Sequence, residues 1–207
     1  MKVIAARLGV SASTVSRWVR DIPLTPAQRE ALAARNHRFS AQHNGRAARR
    51  ESARRTRERW QSEGRWLARM DDGLLRAGCM LYWAEGSKRR GQAIFTNSDV
   101  AMMRLFLRFL REWFDPPVDR LTFSVNCFLG NGLSLAEIER YWLDELELPD
   151  SCLRKGSVNR PSPASKRTGR VLLHGTGRLT CHSTEIVQTI YGAIQEYGGF
   201  TRPAWLD

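Results

Sequence analysis

The chain has 207 residues with 33 Lys plus Arg against 21 Asp plus Glu, a formal net charge of +12, and 29 of its cations are arginine. A composition of 42% hydrophobic and 26% charged residues excludes a chain disordered throughout, and the positive excess selects a polyanion as partner. Arginine's planar fork grips a phosphate or a guanine edge through two hydrogen bonds, which makes nucleic acid the polyanion to expect.

No stretch approaches the roughly 18 uncharged apolar residues of a membrane span, and the N-terminus lacks an apolar signal core, so a soluble, cytoplasmic, nucleoid-associated protein is expected. Cys79, Cys127, Cys152 and Cys181 form no paired-ligand spacing and are read as reduced thiols. A zinc site from Cys181, His182 and His174 is disfavoured, because adjacent residues of a strand point to opposite faces. The charge is unevenly placed: residues 1–70 hold 16 Lys/Arg and 5 Asp/Glu, net +11, whereas residues 71–207 hold 17 and 16, net +1. Two separate parts are therefore expected, a helix-favouring basic one and an α/β one.

Residues 4–19, IAARLGVSASTVSRWV, have the spacing of a helix-turn-helix. Ile4, Ala5 and Leu8 are the apolar face of a first helix, Gly9 permits a left-handed turn, and Ser11 caps a second helix. Val15 and Trp18 of that helix are expected to return to the first. Ser11, Ser13, Thr14, Ser16, Arg17 and Arg20 are left facing outward, as residues that read base edges and flanking phosphates in a major groove. After the break at Ile22-Pro23-Leu24, a third helix from Pro26 completes a DNA-binding domain over residues 1–34. Residues 35–70 read as an Arg-rich helical connector, in which Arg46, Arg49, Arg50, Arg54 and Arg57 are spaced by 3 or 4 into a ridge that tracks the phosphate backbone.

Residues 71–207 alternate helices and strands. Leu74–Ala84 is an almost wholly apolar helix ending at Glu85-Gly86-Ser87-Lys88, followed by a strand at 92–96, a helix capped by Asn97, Ser98 and Asp99, and the alternating strand LTFSVNCF at 121–128. A helix with Ile138, Tyr141, Trp142 and Leu146 on one stripe comes next. Strands at 151–160 and 170–183 then flank the basic loop RPSPASKRTGR, and a last helix starts at Thr184. Thr122, Ser124 and Asn126 share one face of the first long strand, and Arg178, Thr180 and His182 alternate on the last; with Lys88 and Lys155 they are the candidate DNA contacts of this part.

The segment LLRAGCMLYWAEGS resembles the signature helix of the LAGLIDADG homing-endonuclease family, and the α, β, helix, β order after it is similar to that family's half-domain over about residues 71–198. The resemblance implies an antiparallel sheet curved into a saddle that sits in the major groove, and close pairing of two signature helices, with Cys79 and Ala84 as small interface contacts. It implies Glu85 as the acidic residue that reaches the scissile phosphate and holds magnesium. Met80 stands where the family has glycine, and there is only one signature, so two active sites would require a homodimer through the 74–84 helix. The combined expectation is an α+β chain that binds specific double-stranded DNA as a regulator, without a cofactor. The alternative is a magnesium-dependent site-specific endonuclease acting as a homodimer.

Overall fold

A computed structural model describes the chain apart from Met1, Asn36, Gly130, Asn131 and residues 161–171; for residues 33–44 only backbone is described. The chain divides into two compact units, Met1–Glu51 and Ser52–Asp207. The division falls inside a helix, well before residue 70.

In the first unit, α1 (Lys2–Leu8) and α2 (Ala12–Trp18) are joined by Gly9 at φ +66, the left-handed conformation that a side chain would resist. Ser11 caps α2 by accepting from the Thr14 N–H at 3.1 Å. Pro26 opens α3 (Pro26–Arg35), where a missing N–H costs nothing, and α4 (His37–Ala68) follows. Ala5 and Val15 are buried where the two short helices cross. Trp18 does not return to α1: it is 59% exposed, and Ile4 and Leu8 are exposed too, because two helices of two turns each meet at one point only.

The second unit is α+β. Its elements are the C-terminal half of α4, then α5 (Gly73–Glu85), β1 (Ala93–Asn97), α6 (Val100–Phe114), β2 (Leu121–Phe128), α7 (Leu135–Leu146), β3 (Ser157–Asn159), β4 (Thr176–Cys181) and α8 (Thr184–Gly198). The caps are local. Asp72 accepts from the Leu75 N–H, Asp99 from those of Ala101 and Met102, and Ser134 forms a capping box with Glu137. The sheet order is β1-β4-β2-β3: β4 inserts between β1 and β2, antiparallel to both, while β3 runs parallel to β2. The sheet is thus mixed rather than antiparallel. The physical reason is α7, a helical crossover that returns the chain to the same end of the sheet before β3. Of the 151–160 stretch, three residues form β3 and Leu153 adds an isolated bridge to Phe123, after a helical turn at Asp150–Cys152.

One face of the sheet carries the core. Phe95, Phe123, Val125 and Leu179 are buried there with Phe106 and Phe109 of α6, Trp142 of α7, and Tyr191 of α8. Helix α8 is buried on every side from Ile186 to Gln195. Its apolar stripe, Val187, Ile190, Tyr191 and Ile194, joins the core, and its polar side meets α4. That second contact is intimate. A Cβ at Gly64 would stand 1.9 Å from the Thr189 carbonyl oxygen, and one at Gly192 would stand 2.0 Å from that of Gln61. Buried Gln61 donates to Gln188 at 2.8 Å and accepts from Gln195 at 2.9 Å. Residues 52–68 of α4 are therefore a structural helix of this unit, not a solvated connector.

Candidate nucleic-acid interface

The sheet's other face gathers the polar residues that the sequence marks on two distant strands. On β2, burial alternates strictly, with Leu121, Phe123, Val125 and Cys127 inside and Thr122, Ser124, Asn126 and Phe128 half-exposed. Antiparallel register sets Thr122 beside Thr180, Ser124 beside Arg178 and Asn126 beside Thr176. Across β1, Thr180 pairs with Ile94, and both are buried, while the half-exposed Arg178 pairs with Thr96. Residues directly opposite in a ladder share a face, so these side chains form one continuous lattice with Arg178 near its middle. His182, just beyond β4, lies 2.9 Å through Nε2 from the Thr122 Oγ1, and the Asn126 Oδ1 accepts from the Ser157 N–H at 3.2 Å, tying β3 to the lattice. Thr96, Thr176 and Ser157 belong here and were missed by sequence reasoning. Only the strand register could have found them, since each is an ordinary polar residue in its own segment. Lys155 is exposed between the Leu153 bridge and β3, outside this lattice.

At the end of α5, Glu85 is exposed, with no hydrogen bond or ion pair among the described residues. Lys88 has a different task from the expected DNA contact. Its Nζ donates to the carbonyls of Gly86 at 2.5 Å, Trp83 at 2.8 Å and Tyr82 at 3.1 Å, closing the C-terminus of α5. Burial and the neighbouring Arg202 guanidinium pull this ammonium below the ordinary lysine range, with Glu85 opposing them. Gly78 and Cys79 are buried in the chain's own core, Gly78 hard against the Phe109 ring. Cys79 is therefore not a free interface contact. The part-exposed side of α5 carries Leu74, Ala77, Leu81 and the exposed Ala84, spaced by 3, 4 and 3.

In the first unit, the Ser11 Oγ is committed to the cap and lies 2.7 Å from the Ser13 hydroxyl and 2.8 Å from that of Thr14. Ser13, Ser16, Arg17 and Arg20 are exposed, and Thr14 is half-exposed. On α4 the basic ridge splits. Arg46, Arg49 and Arg50 are exposed. Arg54 instead donates to the Asp207 carboxylate at 2.9 Å and to Glu58 at 3.1 Å, and Arg57 donates to the Leu206 carbonyl at 2.6 Å. The last two arginines hold residues 206–207 against α4.

A cleft of ≈ 490 Å³ between α6 and α7 is lined by Arg104, Arg108 and Arg111, but these already pair with Glu145, Glu112 and the Glu147 carbonyl. Among the described residues no three His, Cys, Asp or Glu side chains gather as a metal site. Cys181 faces the core, which separates it from His182. All four cysteines are free and buried. Burial pushes the Cys181 thiol up to about 11, against the opposing pull of Arg120, and raises Cys79 further. The native protein is thus expected to be inert to a thiol reagent at pH 8 and to react only on unfolding. The unfolded thiol ionises near 8.5, so stability is intact below that pH and declines as pH rises through about 11, which a series of melts checks.

Comparison of the chain with protein-family models, curated proteins and solved structures returns no match. A functional reading therefore has to come from the chain's own residues.

Proposed function

We propose that this chain is a sequence-specific double-stranded DNA-binding protein of regulatory type with two readers, a helix-turn-helix made by α1 and α2 and a LAGLIDADG-like saddle made by the sheet. The observation that carries the reading is the half-exposed lattice of Thr96, Thr122, Ser124, Asn126, Thr176 and Arg178 on one face. Neighbouring strands are about 4.8 Å apart, so the β2/β4 pair with its side chains suits a major groove about 12 Å wide. Hydroxyl and carboxamide groups read either donors or acceptors, and Arg178 suits guanine. Residues 71–207, which hold the sheet, carry a net charge of only +1, so they bind DNA through such directed contacts, while Arg46, Arg49 and Arg50 supply sequence-independent attraction.

Selection from random duplexes is expected to yield a preferred site, with Arg178→Ala costing about 1–3 kcal/mol there and relaxing the choice of one base pair. Equal affinity for unrelated duplexes at physiological salt would sink the reading, since specific binders exceed their own non-specific affinity by roughly 10³ or more.

Glu85, exposed at the end of α5, favours one second reading, a homodimeric endonuclease. One carboxylate is a poor magnesium site by itself. A second copy docking along Leu74, Ala77, Leu81 and Ala84, together with DNA phosphate oxygens, would have to complete it, so a single chain furnishes no cleavage step. Magnesium-dependent cutting of the selected site, lost in Glu85→Gln with affinity retained, would replace the regulatory reading by this one.

A further inference from the structure

The loop between α5 and β1, residues 86–91, is held with unusual completeness for a surface turn. The Ser87 carbonyl accepts from the Tyr82 hydroxyl at 2.5 Å, Arg89's from the Tyr191 hydroxyl at 2.9 Å, Arg90's from the Gln188 carboxamide at 3.1 Å and Gly91's from the Thr184 hydroxyl at 3.4 Å. Lys88 closes on the Gly86 carbonyl, and the Ser87 N–H donates to Ile94 at 2.9 Å. Five of the six carbonyls are thus turned onto fixed donors. The N–H groups of Lys88, Arg89, Arg90 and Gly91 have no acceptor among the described residues. Arg89 and Arg90 are exposed, and neither guanidinium has a hydrogen-bond or ion-pair partner among the described residues.

The loop's place in the sheet matters as much as its rigidity. It enters β1 at Ala93, which stands in register with Cys181 of β4, and Cys181 with Leu121 of β2. Arg120 before β2 and His182 after β4 are exposed at the same end, two residues along each strand from the Thr122–Thr180–Ile94 row. This rim presents its cations beside a nearly uncharged reading face. Glu85 and Asp99 are the nearest acidic residues in sequence, and neither pairs with Arg89 or Arg90.

We propose that the 86–91 loop is the phosphate anchor of the sheet: Arg89 and Arg90, with the unpaired N–H groups of the loop, grip backbone phosphates flanking the base pairs that the lattice reads. The inference rests on the DNA-binding reading above and adds to it the element that sets register on the duplex. With every carbonyl but that of Lys88 drawn inward, the loop offers donors in excess, which suits phosphate oxygens. A backbone already fixed loses little freedom on binding. Lys88, the basic residue closest to the signature helix, is excluded from this role because its ammonium is spent on three carbonyls.

The test is fluorescence anisotropy of the full chain on a duplex across a salt series, comparing wild type with Arg89→Gln/Arg90→Gln and with Lys88→Met. Each lost phosphate contact lowers the slope of log affinity against log salt by about 0.9, so a fourfold rise in salt is expected to weaken wild type about ten-fold more than the double variant. The loss should be the same on preferred and unrelated duplexes, with the melting temperature of the double variant unchanged. Lys88→Met should lower the melting temperature and keep the wild-type slope. An unchanged slope in the double variant, or a loss confined to one sequence, overturns the anchor alone. A wild-type chain that binds no duplex overturns both the anchor and the DNA-binding reading.

Discussion

Gly192→Ala and Gly64→Ala are each expected to destabilise the second unit by about 3 kcal/mol or more, a larger effect than most core truncations give. The added methyl carbon meets backbone at 2.0 and 1.9 Å respectively, so no side-chain rotation relieves the clash and α4 must move away from α8. Moving it also breaks the Gln61, Gln188 and Gln195 bonds, leaving buried carboxamides unpaired at roughly 1–3 kcal/mol each. Gly45→Ala is the control. No atom lies within 4 Å of the new carbon, and alanine in mid-helix is worth roughly 0.5–1 kcal/mol over glycine, so stability should rise slightly. Denaturant titration of the three variants measures this directly. Equal midpoints for Gly192→Ala and wild type would refute the close crossing of α4 and α8.

The largest change in DNA affinity is expected from neutralising the exposed part of the basic ridge. Replacing Arg46, Arg49 and Arg50 by Gln should lower the salt slope by about 2.7 if each meets one phosphate, which is roughly forty-fold between 50 and 200 mM salt. Arg54 and Arg57 are expected to behave differently although the ridge looks uniform in sequence. Their guanidiniums already serve Asp207, Glu58 and Leu206, so Arg57→Gln should free residues 206–207 for proteolysis and leave the slope as it was. A triple variant with the wild-type slope would show that the ridge faces solvent in the complex.

What could be read in the sequence depended on how local its cause was. Ser11, Gly9 and Asp99 announce their caps and turns because a helix end is decided by a few neighbouring atoms, and the strict alternation of 121–128 announces a one-sided strand. Trp18 was misjudged because hydrophobic spacing says which way a side chain faces and not whether anything stands there. The connector was misjudged for the opposite reason. Arg54 to Ala68 lacks an apolar stripe, and its contact with α8 uses glycine and glutamine, which a hydrophobic pattern does not register. The direction of β3 depends on the α7 crossover, and the membership of Thr96, Thr176 and Ser157 in the lattice depends on register, both of which exist only once strands have paired. For the candidate site, the two strands that carry it were legible, whereas the anchor loop was not, since hydroxyls and carboxamides from α8 and α5 make Arg89 and Arg90 more than two surface charges.

The order β1-β4-β2-β3 gives this sheet a direction in time. Its middle strand is the last to be synthesised, so β1 and β2 leave the ribosome without the neighbour that joins them, and only the short β2/β3 ladder can form before residue 176 is made. Helix α8, which closes the core from within and fastens α4 on its other side, comes later still. The unit must therefore assemble in one late, long-range step, the slow kind of folding, with unpaired strand edges exposed until β4 and α8 have been made.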